Sequence, residues 1–402
     1  MRRKRPKALI STIEPVDGGV PTMTRWVVDL LQELDIDPMF AWYEPWSKHP
    51  TLSVPIHAII NGRRPSKVSC KVYEGYQGYG IGAWLPELEF THYLPRRPWR
   101  ELISECDLHL AVTGSPLCAT PFARMGIPFL AWVATPWEVD RTDRVKEFPL
   151  PRKLLDKWFN GPVLRHLERE ILRSPGGRIL ALSRYTANGL EAIAQRPMDG
   201  IMLMPVDPLQ FYPDPERTTP WKVGFSGRYG DPRKNINLLL KAVTILSGRG
   251  HPIRLELVGE QDTAKLRQRL ASMGIEHLVH CHPHLPPASL APILQTWDLF
   301  VIPSHQEGLC IAALEAMACG VPVVSTRCGG PEQYVLSDLT GQLTGSDSSE
   351  LAAAILRICD NRDRRQQLSA GAFSWVCSHA SPEVSRGIFR RHLLELFPLN
   401  TL

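Results

Sequence analysis

The chain has 402 residues, 44% of them hydrophobic and 22% charged, and a net charge of +5. Domains usually run about 100–200 residues, so two are expected, and the composition is that of a soluble globular protein. So mild a charge does not mark a nucleic-acid binder. No apolar run approaches the roughly 20 residues of a membrane-crossing helix. The nine cysteines show neither a C-x-x-C pair nor regular spacing, which excludes a disulfide scaffold and favours a reducing, cytoplasmic location.

The chain opens on a basic run (Arg2, Arg3, Lys4, Arg5, Lys7) that leads into the apolar stretch 8–13. Glu14 and Asp17 end that stretch too soon for a signal-peptide core, so it reads as a first strand. Further strands are expected at 108–113, 128–133, 179–183, 222–226, 254–258, 299–302 and 321–325. Helical patterns lie between several of them, such as Ile236, Leu239, Leu240, Val243 and Leu246 on one face. This alternation implies βαβ units and parallel sheets covered by helices. The proline-rich stretch 205–220 neither propagates a helix nor pairs well in a sheet, so it reads as the hinge. The predicted division is 1–205 and 206–379. The last segment, about 380–402, carries an amphipathic helix over 383–397 with the option of packing back on the first domain.

Between 222 and 240, a strand ends at Ser226-Gly227-Arg228, and a loop with Gly230, Asp231, Arg233 and Lys234 precedes a helix starting near Asn235. Ligands of open parallel sheets sit at the carboxyl ends of strands. Two cations beside a helix N-terminus suit a diphosphate, although a solvated basic loop explains the same residues. After the strand ending near Pro303 comes Ser304-His305-Gln306-Glu307-Gly308-Leu309-Cys310, then a short helix ending at Gly320. Glu307 lies before that helix. Glu315 lies inside it, flanked by Ala and Leu, where a charge is costly unless a partner or ligand bonds it. A ribose offers two hydroxyl donors to such a carboxylate, and a structural ion pair is the competing explanation. The Gly308, Leu309 and Cys310 amides form a forward-pointing anion site.

Glu307-Gly308-Leu309 followed by Leu314-Glu315-Ala316-Met317-Ala318-Cys319-Gly320-Val321-Pro322 resembles the E-x7-E signature of glycosyltransferase family 4. Gly227-Arg228 with Lys234 resembles that family's phosphate clamp. Val258-Gly259, the 298–304 strand and Gly329-Gly330-Pro331-Glu332 also fit. So do Leu182-Ser183-Arg184-Tyr185 before the hinge and Asp207, Phe211 and Pro213 within it. The resemblance covers 180–345 strongly and 1–180 loosely. It implies a retaining enzyme of the GT-B fold, with two Rossmann-like domains facing across a cleft. Arg228 and Lys234 would then bind the donor diphosphate, and Glu315 the ribose. Glu307 and the Gly308–Cys310 amides would lie beside the sugar and phosphate, with Gly227 and Gly259 lining the donor site. The donor would be a nucleotide-sugar and the acceptor a glycan, lipid-linked saccharide or small molecule. Neither metal nor other cofactor is expected, and nucleic acid is not a partner.

In the first half, Gly18 and Gly19 follow the first strand and permit close backbone approach to a ligand, or simply form a tight turn. Many members of the family carry a histidine after a central strand of this domain. This chain reads Trp132-Val133-Ala134-Thr135-Pro136-Trp137-Glu138 there, which leaves Thr135 and Glu138 as acceptor-side candidates. Gly75, Gly78, Gly80 and Gly82 among Tyr76, Tyr79 and Trp84 read as a mobile acceptor loop or a plain hairpin, and weakly as a dinucleotide loop. Arg96-Arg97-Pro98-Trp99-Arg100 reads as a solvated loop, or as a peripheral contact with anionic lipid at the inner face of the membrane. His280, Cys281, His282 and His284 invite a metal reading that lacks a second cluster. Asp35-Ile36-Asp37 reads as a solvated turn. The functional alternatives are a nucleotide-sugar epimerase on the same fold and a non-catalytic nucleotide-sugar or glycan binder.

Overall fold

The computed structural model describes residues 5–15, 18–73, 75–146, 148–214, 221–259 and 264–398. Asp17, Arg2, Arg3, Lys4 and the end of the proline-rich stretch, 215–220, lie outside them. Two compact units result: one runs to Met202 and resumes at Arg386, and the other runs from Leu203 to Ser385.

The first unit holds strands β1 (Lys7–Ser11), β2 (Asp37–Tyr43), β3 (Lys67–Val72), β4 (Tyr76–Ile81), β5 (Leu108–Thr113), β6 (Phe129–Val133), β7 (Gly177–Ala181) and β8 (Gly200–Ile201). Their order is β3-β4-β2-β1-β5-β6-β7-β8. Every pairing is parallel except β3 with β4. β5 and β6 are buried at every position, as strands covered by helices on both faces must be. Leu9, Ala111, Phe122, Phe129, Ala131, Leu164 and Ile179 belong to one continuous core.

The second unit holds β9 (Lys222–Ser226), β10 (Arg254–Gly259), β11 (Val279–Pro283), β12 (Leu299–Ile302), β13 (Val323–Thr326) and β14 (Gly341–Thr344), ordered β11-β10-β9-β12-β13-β14 and all parallel. The helical face expected from Ile236 to Leu246 is buried against Val223, Leu255 and Val301. Strand order reverses between β9 and β12, and the loops leaving these two neighbours open a crevice at their carboxyl ends.

The structure corrects several expectations. Of the readings for the glycine-rich segment at 75–82, the plain hairpin holds, since β3 and β4 pair antiparallel, and the dinucleotide loop and the acceptor loop do not. The segment supplies β4, and its glycines face close neighbours: a Cβ on Gly78 would come 2.8 Å from the Trp42 ring, and one on Gly82, just after the strand, would come 2.0 Å from the Leu52 carbonyl. The Arg96–Arg100 run is not a loop. Arg97–Ser104 is a helix, Trp99 is 4% exposed in the core, and Arg97 pairs with Glu101. No aromatic is therefore left there to enter a membrane surface. The first strand stops at Ser11 rather than at Ile13. Asp35 does turn the chain, in the left-handed region at φ 59°, and pairs with Arg5 at 2.8 Å. Ile36 beside it is buried. From Arg386 onward the terminal helix packs with the first unit, through Arg386 on Glu33 at 3.1 Å and the Phe389 ring edge-on to Trp26. Among the described residues no helix is long and apolar enough to cross a membrane.

Candidate functional site

The loops after β9 and β12 meet at the reversal point of the second sheet. Gly227 follows β9 at φ 151°, and Gly259 ends β10 at φ 144°. The two backbones approach so closely that a Cβ on Gly259 would lie 2.2 Å from the Gly227 carbonyl oxygen. Gly227 N–H also donates to the Val258 carbonyl at 2.9 Å. Asp231 then caps the short turn Pro232–Lys234 by accepting from Arg233 N–H at 3.0 Å. That turn aims Lys234 across to the β12 loop, and His305 N–H donates to the Arg233 carbonyl at 2.8 Å, stitching the loops together.

Lys234 Nζ donates to both oxygens of Glu307, at 2.8 and 2.9 Å. Ser304 Oγ donates to Oε1 of the same carboxylate at 2.6 Å. Glu307 is 6% exposed. Its own backbone is pinned to the next loop, donating to the Cys328 carbonyl at 2.7 Å and accepting from Gly330 N–H at 2.9 Å. Burial disfavours the charge on Lys234, but the Glu307 carboxylate contributes most to overcoming it, and the ammonium pKa stands above the usual lysine value. Lys234 is therefore charged at neutral pH and fixed in direction.

Beyond Glu307 the chain passes through Cys310 in the left-handed conformation (φ 66°) and enters the helix Ile311–Ala318. Gly308, Leu309 and Cys310 N–H groups donate to no described acceptor, so the helix start presents unpaired amides. The hydroxyl of the fully buried Tyr334 holds this loop from behind by donating to the Leu309 carbonyl at 2.6 Å. Gly330 packs so tightly against it that a Cβ would lie 2.2 Å from the Gly308 carbonyl oxygen.

Glu315 lies inside that helix, half-buried. Burial alone raises its pKa to about 7, and no described residue donates to its carboxylate or pairs with it. The structural ion pair that would have explained this residue is thus not found among the described residues. Arg228 remains apart from the Lys234–Glu307 pair: its side chain is 72% exposed, with Asp231 3.6 Å away.

In the first unit, Gly18 (φ 148°) precedes the helix Gly19–Glu33, and its carbonyl accepts Thr22 N–H at 3.1 Å and Thr22 Oγ at 2.9 Å. Thr135 is buried after β6, its N–H on the Gly114 carbonyl at 2.8 Å. Gly114 follows β5, and β5 neighbours β1 where this sheet reverses. Glu138 is exposed and pairs with Arg165 at 3.0 Å.

The His280–His284 segment falls on β11 and just after it. His280 and His282 rings meet edge to face at 4.4 Å, and His282 stands 3.5 Å from Glu256. Among the described residues no three His, Cys, Asp or Glu side chains converge to hold a metal. Two contributors to this geometry, Ser304 and Tyr334, had no role assigned from the sequence. Ser304 stands three residues before Glu307, a spacing that offered a weak hint. Nothing in the sequence links Tyr334 to Leu309.

Two reversing Rossmann-like units of this kind make the GT-B fold. The structure superposes on sucrose-phosphate synthase from Thermosynechococcus elongatus with a TM-score of 0.71 at 18% identity, covering 98% of this chain and 100% of that one. It likewise matches Anabaena HepE in complex with UDP-glucose, with a TM-score of 0.69 at 16% identity and 97% and 99% coverage. Residues 210–375 match the family described as Glycosyl transferases group 1. The D-inositol 3-phosphate glycosyltransferase of Thermobispora bispora is 32% identical over 173 residues, 39% of this chain and 40% of that protein. The match thus spans about two fifths of that curated relative's length.

Proposed function

We propose that the chain is a retaining glycosyltransferase that takes a sugar from a nucleotide-sugar held by its second unit. The observation that carries this reading is the buried Lys234–Glu307 pair, fixed by Ser304 at the point where the second sheet reverses. A fixed ammonium beside the unpaired Gly308–Cys310 amides suits a diphosphate. Glu315, a carboxylate without a described donor, suits the ribose hydroxyls. Gly227 and Gly259 let the loops after β9 and β10 pack backbone to backbone beside the donor.

In this reading the bond between the anomeric carbon and the diphosphate oxygen breaks, and charge grows on that oxygen. Lys234, with Arg228 swinging in from solvent, stabilises it. These cations take the part a metal plays elsewhere, so the enzyme is metal-independent. Glu307 orients Lys234 and borders the donor sugar. The acceptor oxygen bonds to the same face, and its proton passes to a phosphate oxygen of the donor. Gly18, Gly19, Thr135 and Glu138 are the acceptor-side candidates, for a glycan, lipid-linked or small-molecule acceptor. HepE was crystallised with UDP-glucose, which makes UDP-sugars the first donors to try. The nine thiols, all free, accord with a cytoplasmic location.

A thermal-shift and hydrolysis screen against UDP-, GDP-, ADP- and TDP-sugars tests the reading, with Glu315→Ala and Lys234→Ala alongside. At least one donor should stabilise the parent and be hydrolysed slowly. No response to any donor defeats the reading, and a full response in both variants defeats this assignment of the site.

A further inference from the structure

The first unit carries an outward face that the donor chemistry does not use. Leu150–Leu155 is a helical turn that runs through a π-helical turn, Asp156–Asn160, into the helix Gly161–Leu172. Leu150, Leu154 and Trp158 recur every four residues along it, so they share one side. They are 70%, 49% and 67% exposed, and Phe159 beside them is 60% exposed. Four large apolar side chains in eleven residues, all in water, exceed the scattered single exposures ordinary for a protein surface.

The segment is rigidly held from beneath. Arg141, 7% exposed, forms ion pairs with Asp156 and Glu89 and lies over the Trp137 ring at 4.9 Å. Asp156 is the acid of the segment, and this pairing buries it. What remains outward is cationic: Arg152 and Lys157 are exposed and Lys153 partly so. Arg152 lies over the Phe148 ring at 4.7 Å and Lys157 over Trp158 at 5.3 Å. Apolar side chains among cations, with an aromatic pair at one end, match the chemistry of an anionic bilayer surface. There the rings enter the headgroup–acyl boundary and the cations meet lipid phosphates.

We propose that the face formed by Leu150, Leu154, Trp158 and Phe159, with Arg152, Lys153 and Lys157, docks this protein on anionic phospholipid membranes. The charge complementarity selects lipid over a neutral apolar partner, and the contact uses no residue of the Arg96–Arg100 run, whose Trp99 is buried. The proposal is independent of the donor chemistry.

Co-sedimentation of the full chain with vesicles tests it, using phosphatidylglycerol mixed with phosphatidylcholine against phosphatidylcholine alone. The parent should pellet with the anionic vesicles and stay in solution with the neutral ones. Replacing Arg152, Lys153 and Lys157 together by Ser should weaken partitioning on the order of a hundredfold, at about fivefold per cation. Trp158→Ser with Phe159→Ser should weaken it at least about tenfold by removing the inserted rings. All these side chains are exposed or nearly so, and unchanged melting temperatures would show that the variants fold. Replacing Arg96, Arg97 and Arg100 by Ser, the control, should leave binding within about twofold. Equal pelleting with both vesicles, or parent-like binding by both patch variants, overturns the proposal. So does a patch variant that turns a dimer into a monomer on size exclusion while the parent ignores vesicles.

Discussion

Lys234 and Glu307 stand 73 positions apart in the chain and meet through both carboxylate oxygens. Strand order brings them together: β9 and β12 are neighbours at the reversal of the sheet, so the loops leaving them face one crevice. Neither residue is content alone, since each would be a mostly buried charge.

Lys234→Met is expected to destabilise the protein by about 3 kcal/mol, because it leaves Glu307 buried without its cation. Adding Glu307→Gln should recover most of that loss, while donor binding stays weak in both proteins. Urea unfolding and a donor titration on the same three proteins read the two effects separately. A double variant no more stable than Lys234→Met would show that the pair does not couple.

Glu315 gives the protein a pH signature. Its folded pKa of about 7 lies above its ordinary value of 4.5, so between these values the folded state binds more protons than the unfolded state. Stability from this group is therefore present below about pH 4.5, falls as pH rises towards 7, and stays lost above that. Glu315→Gln removes the effect and should be more stable than the parent by about 2 kcal/mol at pH 8. Near pH 4.5 the two proteins should unfold alike. Thermal melts across this range decide the matter. If the ionised carboxylate accepts ribose hydroxyls, donor affinity of the parent rises through pH 7, and the Gln variant shows a flat profile.

Gly330→Ala should damage the 308–310 loop directly. Its Cβ would stand 2.2 Å from the Gly308 carbonyl oxygen and 2.8 Å from Leu309 Cα, both backbone atoms with no room to withdraw. A loss of more than about 2 kcal/mol is expected, along with a raised KM for the donor. Gly248→Ala, where a Cβ meets nothing within 4 Å, serves as the contrasting substitution, and its melting temperature should hold or rise slightly.

Tyr334→Phe removes the hydroxyl that donates to the Leu309 carbonyl and leaves the ring packed. The expected cost is about 1–2 kcal/mol. Because the hydroxyl acts through the loop and not on the donor, KM should rise more than kcat falls. An unchanged KM would mean that the 308–310 amides need no such support.

The order of elements was legible in the sequence. Short, largely apolar runs such as 108–113 and 299–302 alternate with helical patterns, and that alternation marked them as strands of a covered parallel sheet. Glu315 stood out because it is a charge in an apolar helix. The hairpin of β3 and β4 stood level with a loop reading because its strands are rich in Gly and Lys, residues with little β preference. Only packing against Trp42 and Leu52 makes those glycines necessary. The same limit hid the surface patch. The spacing of Leu150, Leu154 and Trp158 suits a core helix equally well, and Trp99 suits a membrane contact equally well. Sequence thus determined which residues were apolar, charged or free to turn. Tertiary structure decided which of them met, as with Lys234 and Glu307, and which faced water, because solvent exposure belongs to the packed chain and not to any local run of residues.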